Sequence, residues 1–211
     1  MLWFEYPRDV VRVHGPDALT YLQSQLSQDL RPLQVGQSMW SFVLQPTGKV
    51  DVLLRVWRTA GDTFVLDTDA GFGEVLTARL NRFKIRVKAT VTPLSDPIGD
   101  QAVDEDQRIA AAWPKMGAEI LPGETIPAEI GLDDVAISFT KGCYPGQELV
   151  ERMDSRGSAA PRHLAVLPRH ADDEPGAAVV SDAASIGTIT SVGTTQVLAF
   201  VKRGHDGAAR D

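Results

Sequence analysis

The chain has 211 residues, 43% of them apolar, a net charge of -7 and one cysteine. That length and apolar share suit one large globular domain or two small ones, and the acidic balance excludes a general nucleic-acid binder, which needs a basic surface. One cysteine excludes an internal disulfide and a self-sufficient four-thiolate iron-sulfur cluster; no run is long and apolar enough to cross a bilayer, and the start, Met1-Leu2-Trp3-Phe4-Glu5, lacks a basic region, so a cytoplasmic protein without membrane contact is expected.

Residues 10–13 read as a strand, after which His14-Gly15-Pro16-Asp17 turns the chain into a helix whose Leu19, Leu22 and Leu26 share one face. Asp29 follows this helix and has the chemistry of a turn or capping residue as much as of a ligand contact. Residues 39–45 and 50–58 are strand-like around Pro46-Thr47-Gly48-Lys49, which predicts a β-hairpin. Leu53, Leu54, Val56 and Trp57 give the second strand nearly continuous apolar surface, so burial on both faces is expected. Gly61-Asp62 turns into a strand over 63–67, then a helix over 74–83 points Val75, Leu76 and Leu80 inward. Ile85, Val87, Ala89 and Val91 alternate as a further strand, and a helix-covered antiparallel sheet over residues 1–94 results.

Residues 95–106 are acidic, contain Pro97 and Gly99, show no apolar period and read as a linker. Their carboxylates lack ligand spacing, as do His14, His163, His170 and His205, so no metal site is expected. A return segment, 107–154, carries the distinctive stretch Phe139-Thr140-Lys141-Gly142-Cys143-Tyr144-Pro145-Gly146-Gln147-Glu148. Val135, Ile137 and Phe139 alternate with small or polar residues, which predicts a strand running into it. If the stretch stays extended, Lys141 and Cys143 share a face, and an ammonium beside a thiol favours the thiolate. Gly142 and Gly146 free the backbone around the sulfur. A helix from Gln147 to Met153 would point its positive end back at Cys143. The competing reading is an inert buried thiol in a tight turn. Beyond Arg152 and Arg156-Gly157, strands are expected over 164–167, 177–180, 186–192 and 197–201, a small β-barrel spanning 155–203 ahead of a polar tail, 204–211.

Lys141-Gly142-Cys143-Tyr144-Pro145-Gly146-Gln147-Glu148 resembles the Lys-Gly-Cys-Tyr-x-Gly-Gln-Glu signature of the YgfZ family of folate-binding proteins, relatives of the glycine-cleavage aminomethyltransferase. Thr125-Ile126-Pro127-Ala128-Glu129-Ile130-Gly131-Leu132-Asp133 is similar to that family's approach to the motif, and Gly187-Thr188-Ile189-Thr190-Ser191 to a strand of its C-terminal lobe. The resemblance implies an α+β fold of antiparallel sheets with packed helices and a C-terminal β-barrel. It implies tetrahydrofolate as cofactor, with Gly142, Tyr144, Gly146, Gln147, Glu148, Asp29 and Arg152 as candidate contacts and Cys143 and Lys141 as the catalytic pair. The function implied is assembly or repair of iron-sulfur enzymes, including those that modify tRNA, with iron-sulfur proteins as partners.

Two departures from the family pattern matter. The centre is shortened near 95–106, which removes part of the wall around the folate hole and leaves apolar surface to be covered by local repacking or by a second copy of the chain. The transferase branch carries paired aspartates after the turn at Gly48, whereas Gly48-Lys49-Val50-Asp51-Val52-Leu53 keeps one acid, Asp51, a place early. A folate-dependent aminomethyltransferase and a non-enzymatic interaction module that has lost folate are the alternative functions.

Overall fold

Two antiparallel sheets organise the chain in the computed structural model, which describes residues 7–98, 104–155 and 160–205. The first contains β1 (Arg8–His14), β2 (Ser38–Leu44), β3 (Val50–Ala60), β4 (Thr63–Asp69) and β5 (Thr90–Ile98), in the order β2-β3-β4-β1-β5. The hairpin of β2 and β3 forms as expected, Phe42 facing Leu53 and Ser41 facing Leu54. Helices α1 (Ala18–Gln25) and α2 (Gly73–Arg82) cover one face, where Leu22, Leu76 and Leu80 close a core with Val11, Val13, Leu54 and Val56.

The opposite face holds a second core. There Phe42, Leu44 and Leu53 meet Met116, Ile120, Ile130 and Leu132 from the segment that returns from the shortened centre. β3 lies between the two cores: Val52, Leu54 and Val56 belong to one, Val50 and Leu53 to the other. Its near-continuous apolar run is the sequence consequence of being covered twice, although Trp57 at its far end is half-buried. Local repacking from the same chain thus covers the strand surface at the centre.

Several expectations change. On α2, Leu76 and Leu80 are buried but Val75 is 39% exposed; Arg79 takes an inward place, reaching the Leu44 carbonyl (2.9 Å) and Asp51 (3.2 Å). The strand expected from Ile85 begins at Thr90 instead, and Ile85 is 75% exposed. Arg86 sits at φ 56°, a left-handed conformation that interrupts an extended run. β5 then continues to Ile98 through residues read as linker; as an edge strand it tolerates Pro93 and Pro97, which cannot donate to a ladder. Of the remaining linker residues, 99–103 lie outside the described residues. Asp104 caps α3 (Glu105–Ala110), accepting from the backbone N–H of Asp106 (3.1 Å) and Gln107 (3.2 Å).

The strand expected before the motif is absent. Residues there form the single-turn helices α4 (Pro127–Ile130) and α5 (Asp133–Ala136), followed by a loop. α6 (Gln147–Ser155) starts where the motif predicts a helix. The C-terminal strands β6 (Arg162–Pro168), β7 (Ala178–Ser181), β8 (Ala184–Val192) and β9 (Gln196–Lys202) form an open sheet in the order β6-β9-β8-β7, with β6 and β7 at opposite edges rather than joined into a barrel. Its own apolar cluster contains Val179, Ile186, Ile189, Val197 and Val201. Arg156, Gly157 and residues 206–211 of the tail lie outside the described residues.

Arg108 joins this sheet to the rest. Fully buried, it donates to Glu105 (2.6 and 2.9 Å), the Trp113 carbonyl (2.6 Å), Glu119 (3.0 Å) and Ser191 on β8 (2.6 Å). Ser191 in turn donates to Glu119 (2.6 Å). A second tie runs from Arg162 on β6 to Glu129 on α4 (3.0 Å).

Candidate functional site

Cys143 is exposed, in the loop between α5 and α6. The chain leading into it is pinned to the turn that follows α1. Ser27 Oγ donates to the Ala136 carbonyl (2.7 Å), the Ser138 N–H donates to the Ser27 carbonyl (3.0 Å), and Gln28 Nε2 donates to the Val135 carbonyl (3.0 Å). Lys141 is buried, and its ammonium donates to the carbonyls of Gln23 (2.7 Å), Leu26 and Gln28 (3.1 Å). Its three donors are therefore committed to carbonyls and not to the thiol, contrary to the extended-strand expectation. Burial pushes the Lys141 ammonium down to about 8, against the pull of Asp29.

Tyr144, on the other side of Cys143, is buried in the second core with its ring centroid 5.1 Å from Lys141 Nζ. Burial pushes its hydroxyl up to about 12. Cys143 and Gly142 are thus the exposed pair between two buried neighbours.

The two motif glycines differ. Gly146 adopts φ 85°, and a Cβ on it would stand 2.6 Å from the Gln45 carbonyl oxygen and 3.0 Å from Gly48 Cα. The β2–β3 turn and the start of α6 therefore touch backbone to backbone, and a Cβ on Gly48 would strike Leu149 at 2.6 Å. Gly142 has no positive φ, and nothing lies within 4 Å of a Cβ placed there. Gly146→Ala should therefore cost about 2–4 kcal/mol by denaturant unfolding, from the left-handed backbone plus the clash. Gly142→Ala should stay within about 0.5 kcal/mol. Equal losses would contradict this assignment of their roles.

The remaining candidates divide into two groups. Asp29 belongs to the turn: it accepts from Gln23 Nε2 (3.0 Å), the Arg31 backbone N–H (3.1 Å) and the Arg31 guanidinium (2.6–3.1 Å). Those Arg31 bonds hold its carboxyl far below the usual range. Gln147, Glu148 and Arg152 lie along α6, where Gln147 donates to Glu151 and Arg152 to Glu148 (2.7 Å), ordinary i,i+4 pairs on a helix.

At the place of the transferase's paired aspartates, Val52 belongs to the first core and Leu53 to the second. Leu53 is 3% exposed, and its N–H points at Met116 Sδ (3.4 Å). Asp51 is occupied by Gln45 (2.8 Å) and Arg79 (3.2 Å).

Sequence reasoning missed Ser27, Gln28 and Gly48 as supports of the motif. It also missed a polar group on the second face of the first sheet. There buried Asp67 accepts from Arg8, Arg55 (3.0 Å) and Trp57 Nε1 (2.6 Å), and Asp69 accepts from Arg8 (2.8 Å) and the Met116 N–H (2.8 Å). The available signal was two acids at alternate positions at the end of a strand that carries Phe64, Val65 and Leu66. Among the described residues, no group of three or more His, Cys, Asp or Glu is placed to hold a metal ion, and no helix is long and apolar enough to cross a membrane.

No protein-family model matches the chain. It is 27% identical over 188 residues to a protein of Haemophilus influenzae described as uncharacterized, the match covering 71% of this chain and 67% of that one. It is 28% identical over 216 residues to the iron-sulfur cluster assembly factor IBA57 homolog, mitochondrial, of Pyricularia oryzae, covering 74% of this chain and 54% of that one. The matches thus span about half to two thirds of these relatives' length. The fold is that of the glycine cleavage system aminomethyltransferase T from Bartonella henselae, with a TM-score of 0.79 at 18% identity over 92% of this chain and 76% of that one. Motif, relatives and fold agree, and they liken the chain to YgfZ and the glycine-cleavage aminomethyltransferases.

Proposed function

We propose that the chain is an assembly factor for iron-sulfur proteins and that Cys143 is the group through which it acts, as a thiolate ligand to a cluster in passage or to a partner protein. The carrying observation is the placement of the one cysteine: exposed, between buried Lys141 and Tyr144. A second protein can reach such a thiol without unfolding anything. One thiolate holds no conventional cluster, so a partner must supply the other ligands. The relatives named as iron-sulfur cluster assembly factors support this reading. Clients that modify tRNA, and a reducing cytoplasmic setting that keeps the thiol free, belong to the same proposal.

The test is transfer of a cluster from a loaded carrier to an iron-sulfur apoprotein, followed by visible absorption. The wild-type chain should change the transfer rate and Cys143→Ser should not; equal rates for the two proteins would overturn the reading.

The residues at the transferase position do not fit aminomethyl transfer to tetrahydrofolate. Val52 and Leu53 are sealed apolar side chains that can accept no proton, and Asp51 is held by Gln45 and Arg79. No turnover of aminomethyl donors with tetrahydrofolate is expected. Measured turnover would put the aminomethyltransferase reading first.

A further inference from the structure

We propose that Lys141 is a positioning residue: its ammonium closes the C-terminal turn of α1 and thereby sets where the Cys143 loop stands. This rests on the reading of Cys143 as the working thiol. The last carbonyls of a helix have no intrahelical partner, and a cation placed among them is favoured by the helix dipole. α1 supplies no such cation itself, since its last turn contains no basic residue and Leu26 leaves it in an extended conformation. The missing partner arrives from far downstream, as Lys141 Nζ donates to Gln23, Leu26 and Gln28 carbonyls 113 to 118 residues earlier.

The turn that receives it is internally wired. Gln23 accepts from the Leu30 N–H (2.8 Å) and donates to Asp29 (3.0 Å), while Gln28 Oε1 accepts from the Asp29 N–H (3.0 Å). Ser27 and Gln28 also hold the carbonyls of Ala136 and Val135. The motif is therefore fastened at 135–138 and again at Lys141, and the Tyr144 ring packs near the same ammonium from beyond Cys143. Gly142 and Cys143 are the residues left outside. The ammonium works by geometry, as a peg in a socket of carbonyls.

Amide exchange and thiol alkylation of Lys141→Met, Lys141→Arg and Lys141→Gln test this. Lys141→Met should speed exchange at least about tenfold in segments 23–31 and 137–146, the factor expected for losing charge-assisted hydrogen bonds, with β6 to β9 unchanged as the internal control. Lys141→Arg, which keeps a cationic donor, should recover most of that protection. The ratio of Cys143 alkylation rates with anionic iodoacetate and neutral iodoacetamide should stay within about twofold of wild type, since nearby charge and not loop geometry governs that ratio. Unchanged exchange in 23–31, or a several-fold fall in the ratio, would overturn the proposal. If Lys141→Met does not fold, Lys141→Gln, which removes the charge but keeps a hydrogen-bond donor, makes the same comparison, with exchange about threefold or more faster in 23–31 and 137–146; no change there would also overturn it. None of these readouts uses cluster transfer, so the anchor and the iron-sulfur reading can fail separately.

Discussion

Cys143→Ser should melt within about 2 °C of the wild-type protein and lose its effect on cluster transfer altogether. Exposed side chains outside special backbone positions change stability by no more than about 0.5 kcal/mol, and a domain of this size shifts by about 2–4 °C per kcal/mol. Cys143 is exposed and its loop is held by its neighbours, so the substitution removes sulfur chemistry without disturbing packing. A serine hydroxyl does not ionise near neutrality and is a poor ligand for the metals that thiolates bind. Differential scanning fluorimetry beside the transfer assay separates the two effects. Full transfer by the variant would return Cys143 to the class of inert thiols.

Arg108→Ala should show the largest loss of stability, about 3–5 kcal/mol, because breaking a buried ion pair leaves the other charge uncompensated. The guanidinium and Glu119 are both fully buried, and without Arg108 the carboxylate keeps as partners Ser191 and the Lys115 N–H (3.0 Å). A lowering of the melting midpoint by roughly 10 °C follows. The loss has a pH signature. Hydrogen bonds from Arg108 hold the Glu105 carboxyl below its ordinary 4.5, so its contribution is fully present above that value and is lost as pH falls through the lowered one. The variant lacks this contribution at every pH. The stability gap between the two proteins should therefore be widest near neutrality and narrow below about pH 4.5. A gap that is constant from pH 7 to 3 would contradict the assignment of Glu105.

The sequence made the first sheet readable because its strands carry their burial as patterns: β3 as a continuous apolar run, the hairpin as two such runs around a Gly turn. The motif's helix start at Gln147 was equally readable. What misled was alternation without a partner strand. Ile85 to Val91 and Val135 to Phe139 both alternate, yet one run is broken by the backbone of Arg86 and the other by the helical turn α5. Period-two patterning reports which side chains are covered and not what the backbone bonds to. The role of Lys141 was hidden for a related reason. Its partners are main-chain carbonyls more than a hundred residues upstream, and carbonyls leave no mark in composition or spacing.

Those same contacts put the thiol on a clock. Synthesis at about 5–20 residues per second leaves the turn after α1 waiting roughly 6–23 s before Lys141 is made. Until then its carbonyls face water. Closing so long a span costs only slightly more entropy than closing a shorter one, but it cannot precede the arrival of the lysine, and Cys143 is translated just two residues later. A nascent chain therefore has no organised sulfur to offer, and a fragment ending before the motif has none at all. The Cys143 thiol is thus organised late in the protein's own manufacture, when every strand of the first sheet has already been made.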